Sequence, residues 1–190
     1  RQSYEYSTRK NINKALRSGL KPLVIPGYDI SDEWIRIFHN IYSQTMLRNE
    51  ADYFYFFDAD LFKELTVELP ESTLFFFILN NKSEPISAEL VLFNEHVGYS
   101  FLGGTLSEFY QFRPNDLIKH TIIENLRSKG LRYFCLGGGI IPDDGIFRFK
   151  KTFSKNGVIN FYIGKKIHNE EIYNRIVSLW ESKNPQKKEK

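Results

Sequence analysis

The chain has 190 residues, 42% hydrophobic and 26% charged, which is one domain's worth of sequence and excludes global disorder. A net charge of +3 is too small to mark a nucleic-acid binder by itself, and the lone Cys135 excludes an internal disulfide framework and suits a reducing, cytoplasmic setting. No apolar run reaches the roughly 20 residues of a membrane helix, the opening residues do not read as a signal peptide, and "RQSYEYSTRK" reads as the start of a piece of a longer protein.

In chain order, "STRKNINKALRSG" predicts a helix capped by Ser7 and Thr8, with Ile12, Ala15 and Leu16 on one face and a stop at Gly19. A short strand "PLVIPG" follows. The next helix takes Ser31 as N-cap, acids in its first turn, and Ile37, Phe38, Ile41 and Tyr42 at helical spacing. Asp58 caps a second short helix with Leu61, Phe62 and Leu65. Three strand-like runs, "TLFFFIL", "ISAELVLF" and "VGYSFLGGT", are joined by short polar links and predict an antiparallel meander. "PNDLIKHTIIENLRSKG" is a helix with Pro114 near its start and Gly130 at its end, and it carries the chain to "LRYFCLGG", a strand parallel to its predecessor. A short helix in "DGIFRFKKTF", a strand "VINFYIG" and the amphipathic helix "NEEIYNRIVSLWESK" complete one domain over residues 1–183; the basic tail 184–190 is expected to be disordered. The class is α/β (α+β), a mixed and mostly antiparallel sheet flanked by helices.

Candidate chemistry is sparse. Lys150 and Lys151 leave neighbouring faces of a helix whose Phe147, Phe149 and Phe153 form an apolar stripe. Asp143 and Asp144 read as caps of that helix, with a general-base role as the minority alternative. Cys135, mid-strand, reads as a buried inert thiol. His39, His96, His120 and His168 lack metal-ligand spacing, so no metal is expected. Lys10, Lys14, Arg17 and Lys21 form a basic stripe, solvated by default and also suited to a tRNA backbone. The rings, 16% of the chain with 17 Phe and 11 Tyr, fill cores but also line substrate grooves.

The order of elements resembles the N-acyltransferase fold called GNAT. "RKNINKALRSG", "YSFLGGT…PNDLIKHTIIENLRSKGLRYFCLGG" and "DGIFRFKKTF" resemble its FemABX branch, the peptidoglycan-bridge aminoacyltransferases, over residues 8–163. The resemblance implies transfer of an amino acid from aminoacyl-tRNA to an amine of a peptidoglycan precursor. It also implies a missing N-terminal GNAT-like half and work in the cytoplasm, up to the inner face of the membrane. Lys150, after the aromatic of the F-K-K-x-F motif, is the implied catalytic residue, stabilising the oxyanion or holding the tRNA terminal phosphates. Arg48, Tyr53, Tyr55 and Tyr99 are the implied contacts to the acidic precursor, and Phe149 borders the substrate; for Tyr99 a half-buried strand tyrosine stays open. Phe147 and Phe153 are expected to pack inward, with Phe149 and Lys150 facing the cleft beside Gly137.

Acetyl-CoA enzymes of the superfamily carry a Q/R-x-x-G-x-G/A loop whose N–H groups hold a pyrophosphate. Here that loop reads "LSEFYQFRPNDL", without glycine and with Pro114 lacking a donor, so no CoA cofactor is expected. The tyrosine that such enzymes often use as general acid on the last short helix is absent as well. Two rival readings remain: a GNAT enzyme that uses an acyl-CoA or another acyl donor on a cell-surface sugar, and a non-catalytic GNAT-like binding domain.

Overall fold

The computed structural model describes residues 3–139, 141 and 143–185. The chain forms two compact units, Arg1–Gly157 and Val158–Lys190. The first runs α1 (Tyr6–Arg17), β1 (Lys21–Pro26), α2 (Asp32–Arg48), α3 (Ala59–Glu68), β2 (Thr73–Leu79), β3 (Pro85–Phe93), β4 (Val97–Thr105), α4 (Pro114–Ser128), β5 (Tyr133–Cys135) and α5 (Gly145–Lys151). Strands β1 to β4 are antiparallel neighbours in chain order, and β5 joins β4 in parallel after the α4 crossover. This is the mixed, mostly antiparallel, helix-flanked sheet expected from the sequence. Pro22 and Pro26 fit β1 to the sheet edge, where a missing N–H costs least.

β2 is apolar without alternation because both of its faces are covered. Leu74, Phe76 and Ile78 pack with Ile12 and Ala15 of α1 and with Leu117 and Ile122 of α4. Phe75 and Phe77 meet Phe38 and Tyr42 of α2 and Phe62 of α3. Each such side chain contributes about 1.5–3 kcal/mol on burial, so this strand is the centre of both cores.

Ser31, Asp58 and Asp144 cap α2, α3 and α5 by accepting from the N–H groups of Trp34, Leu61 and Phe147, as expected. α1 differs: it begins at Tyr6, and Ser7 and Thr8 lie inside its first turn. The Glu5 N–H donates to Thr152 O at 2.9 Å, which fixes the chain ahead of the expected caps.

Two strand expectations are corrected. Of residues 131–138 only Tyr133–Cys135 pair with β4, because Gly137 at φ +70° turns the chain away. Residues 158–164, expected as a strand, form no ladder, and Phe161 is 87% exposed. An apolar run becomes a strand only where a partner supplies its hydrogen bonds, and among the described residues of its own unit none does. That unit also holds α6 (Glu170–Lys183), capped by Asn169. Of the tail 184–190, residues 186–190 lie outside the described residues. Among the described residues no helix is long and apolar enough to cross a membrane.

α2 lies directly on β4 at Gly104. A Cβ there would meet Thr45 Oγ1 and, at 2.7 Å, Ile41 O. Thr45 Oγ1 also accepts from the Thr105 N–H at 3.1 Å, so the helix cannot retreat without losing that bond. Gly104→Ala is therefore expected to cost about 1–3 kcal/mol, read by denaturant melts.

Candidate functional site

β4 and β5 pair only as far as Tyr99 and Cys135, and beyond that point they part. Ser100 is the first β4 residue without a β5 partner. A bulge at this point places Ser100 opposite Val91 and Leu102 opposite Leu90. Strand alternation then puts Ser100, with Glu89 and Val91, on the α1/α4 face and Tyr99 on the α2/α3 face. The two side chains border one opening from opposite faces of the sheet.

α5 brings a cation to this opening. Lys150 Nζ donates to Gly138 O at 2.6 Å, and a Cβ on Gly137 would lie 3.6 Å from it. Burial first, and then the nearby Lys119 ammonium, pull the Lys150 pKa below the usual lysine value, while Glu89, Asp144 and Cys135 oppose the shift. Lys151 is exposed. The phenylalanines are arranged differently from the expectation. Phe149 and Phe153 form the inward pair, edge to face at 5.4 Å, and Phe149 packs against the α1/α4 core. Phe147 is only half-buried. Phe153 lies just past α5, and its N–H donates to Lys150 O at 3.2 Å in a tightened last turn that keeps its ring on the Phe149 side.

Beneath the opening lies a charged triangle that sequence reasoning missed. Lys119 of α4 forms an ion pair with Glu89 of β3, and their side chains are only 10% and 7% exposed. Ser100 Oγ donates to Glu89 Oε1 at 2.6 Å and accepts from Lys119 Nζ at 2.7 Å. Lys119 Nζ also lies 6.0 Å from the Phe134 ring centre. A lone glutamate in "ISAELVLF" was the available signal, but its partner is thirty residues away.

The expected acceptor contacts are not gathered at one point. Arg48 donates to Thr105 O at 3.0 Å and stacks over Tyr110 at 5.2 Å, so it marks the far end of β4. Six residues separate Thr105 from Tyr99, roughly 20 Å of strand. Tyr99 is 44% exposed. Tyr53 and Tyr55, expected on a strand-like face, sit instead in a 3-10 turn, Tyr53–Tyr55, because Asp52 caps it through the Phe54 N–H. Both rings are exposed, and Tyr55 O accepts from Tyr42 OH at 2.6 Å. Burial, aided by Tyr55, pushes the Tyr42 hydroxyl up to about 12.

The approach to α4 is a short helix and not a glycine loop. Ser107–Phe112 is a 3-10 helix, Arg113 follows at φ +63°, and Pro114 begins α4. The N–H groups of Phe109 and Arg113 are bound to Leu106 O and Tyr110 O. In the first turn of α4 the buried Asp116 accepts from Asn11 Nδ2 at 3.2 Å. Burial pushes its carboxyl up, opposed by Asn11, Arg113 and its own N–H.

Cys135, expected to be buried, is exposed, because it ends a three-residue edge strand. His120 is the buried histidine and meets the Tyr4 hydroxyl at 3.3 Å. Among the described residues no group of three or more His, Cys, Asp or Glu could hold a metal ion.

The model of the acetyltransferase (GNAT) domain family matches residues 5–151. A search of curated proteins finds no match. Among solved structures, FemX matches with a TM-score of 0.67 at 16% identity, covering 80% of this chain and 54% of that one. The chain thus spans about half the length of that protein. An aminoglycoside acetyltransferase from an uncultured soil metagenomic sample, in complex with trehalose, matches with a TM-score of 0.56 at 12% identity, covering 77% of this chain and 97% of that one. A ribosomal-protein-alanine N-acetyltransferase from Brucella melitensis biovar Abortus 2308 gives 0.52 at 8% identity, over 79% and 99%. At such identities these likenesses speak to fold alone.

Proposed function

Since the chain belongs to the acetyltransferase (GNAT) domain family and is an acyltransferase by that membership, we propose that it transfers an aminoacyl group from aminoacyl-tRNA to an amine of a peptidoglycan precursor, as FemABX enzymes do. The observation that carries this reading is the approach to α4. A CoA pyrophosphate there would meet a 3-10 helix whose Phe109 and Arg113 N–H groups are already bound, and a proline that has no N–H, in place of a glycine loop. The likeness to FemX supports the reading. In it the missing N-terminal half, the tRNA end and the acidic precursor are partners, and the setting is the cytoplasm up to the inner face of the membrane.

In this reading the chain's own residues take the following roles. The acceptor amine reaches the opening from the Tyr99 face and the ester from the Lys150 face. The nitrogen attacks the ester carbonyl, and negative charge builds on its oxygen. The half-buried Lys150 ammonium leaves Gly138 O for that oxygen, or shares its hydrogens between the two. Such a preorganised donor is commonly worth about 3 kcal/mol of barrier. Arg48, Tyr53 and Tyr55 line the route by which the precursor's diphosphate and sugars are held, and Phe149 braces the helix that carries Lys150.

The test is ligand choice by thermal shift. A UDP-linked muropeptide should raise the melting temperature and acetyl-CoA should not. Stabilisation by acetyl-CoA at micromolar concentration, abolished by changes in residues 107–113, would favour the acyl-CoA rival. Arg48→Lys is expected to weaken muropeptide affinity about tenfold, since an ammonium cannot reproduce a two-pronged phosphate contact. Calorimetry reads that change, and unchanged affinity in Arg48→Ala removes Arg48 from the route.

A further inference from the structure

α5 carries no hydroxyl side chain: its residues are GIFRFKK. An ester aminolysis nevertheless needs a proton for its departing oxygen, because an alkoxide is a poor leaving group. At the opening one hydroxyl is already wired to an ammonium. We propose that Ser100 is the general acid of the transfer and that the buried Lys119, held by Glu89, supplies its proton. This rests on the aminoacyl-ester reading above.

Three observations converge. Ser100 is the first β4 residue past the last pair with β5, so it stands where the strands open, on the Lys150 face. Its Oγ accepts from Lys119 Nζ at 2.7 Å, which leaves its own hydrogen free to turn. In the resting structure that hydrogen points to Glu89 Oε1, which keeps the hydroxyl oriented until a stronger acceptor arrives. A structural ion pair needs only the Glu89–Lys119 contact; the hydroxyl between them at the opening is the additional element.

The step balances. The amine nitrogen forms its bond to the carbonyl carbon, and the carbon–oxygen bond to the leaving ribose breaks with its electron pair on that oxygen. The oxygen takes the Ser100 hydrogen, and Ser100 takes one from Lys119. The new amide nitrogen gives its surplus proton to water, and Lys119 recovers one from water through Ser100. Nothing is oxidised or reduced, and the protein returns to its starting state. Ser100 touches the reacting oxygen and is the catalytic residue, whereas Lys119 and Glu89 act through it.

The test separates chemistry from structure by varying the leaving group. The full chain is assayed with total tRNA charged with the twenty amino acids and a UDP-linked muropeptide bearing a free amine. The aminoacyl group that is transferred fastest is then also supplied on 4-nitrophenol, whose anion leaves without acid help. Ser100→Ala should lower kcat with the tRNA ester about a hundredfold, leave KM little changed, and stay within a few-fold of wild type with the nitrophenyl ester. Ser100→Thr, which restores a hydroxyl, should recover most of the loss. Equal losses with both donors, or no loss with either, would overturn the acid role while aminoacyl transfer stands. A wild-type chain that does not use aminoacyl-tRNA overturns the aminoacyl reading itself and the relay with it.

Discussion

Replacing Lys150 with methionine is expected to lower kcat for aminoacyl transfer about a hundredfold and to move the melting temperature by no more than a few degrees. Methionine keeps the length and apolar character of the stem and removes the charge. The chain loses one hydrogen bond, to the exposed Gly138 O, and sheds a half-buried charge that folding has to desolvate, so the two effects on stability offset. The effect on turnover has no such offset, because an oxyanion in a partly dry cleft loses its counter-charge. Lys151→Met, on the exposed side of the same turn, should change either quantity little.

The pH dependence gives an independent check. The fold depresses the Lys150 pKa below the ordinary lysine value of about 10.4. Between the depressed and the ordinary value the unfolded chain binds more protons, so this residue's contribution to stability rises with pH across that window. Activity that needs the ammonium falls across the same window. Compared with Lys150→Met, the wild type should gain stability while it loses turnover, and a general loosening of the structure cannot produce opposite trends. Parallel trends would return Lys150 to an ordinary surface lysine.

Some of this site was readable from local pattern and some was not. Caps at Ser31, Asp58 and Asp144 depend on a side chain and an N–H three residues on, so spacing finds them. The meander is readable because links of three to six residues leave adjacent strands little choice. The extent of β5 is not, since it depends on where Gly137 turns the backbone away from β4. Cys135 was misplaced for the same reason: a residue that looks mid-strand by composition is the last of an edge strand. The inward pair Phe149 and Phe153 is not set by the helix alone, because Phe153 lies two residues past the end of α5 and is turned inward by its N–H bond back to Lys150 O. Lys119 lies in "LIKHTII" between the core residues Ile118 and Ile122, and nothing in that local pattern names its partner. Only the fold sets it against Glu89.

That pair yields the largest expected stability change. Glu89→Gln keeps volume and an acceptor oxygen but leaves the Lys119 ammonium buried beside an uncharged group. Breaking a buried ion pair from one side typically costs about 3–5 kcal/mol, which for a domain of this size lowers the melting temperature by on the order of 10 °C. Lys119→Met should cost a similar amount, because it takes the paired ammonium from a buried carboxylate and leaves it the hydrogen bond from Ser100 Oγ. The double change, Glu89→Gln with Lys119→Met, removes both charges together. Two desolvation costs vanish with the attraction that offset them, so the double variant should recover most of the loss and melt within a few degrees of wild type. A double-mutant cycle by chemical denaturation reads the sum of the two single losses less the small loss of the double variant, a coupling of roughly 5–8 kcal/mol. Strictly additive losses would mean that the two charges do not depend on one another. The activity of the recovered double variant then separates two uses of the same triangle: if the pair serves the fold alone, a stable protein without the Lys119 proton transfers from the tRNA ester at close to the wild-type rate, whereas a proton supply that runs through Ser100 leaves it folded and slow.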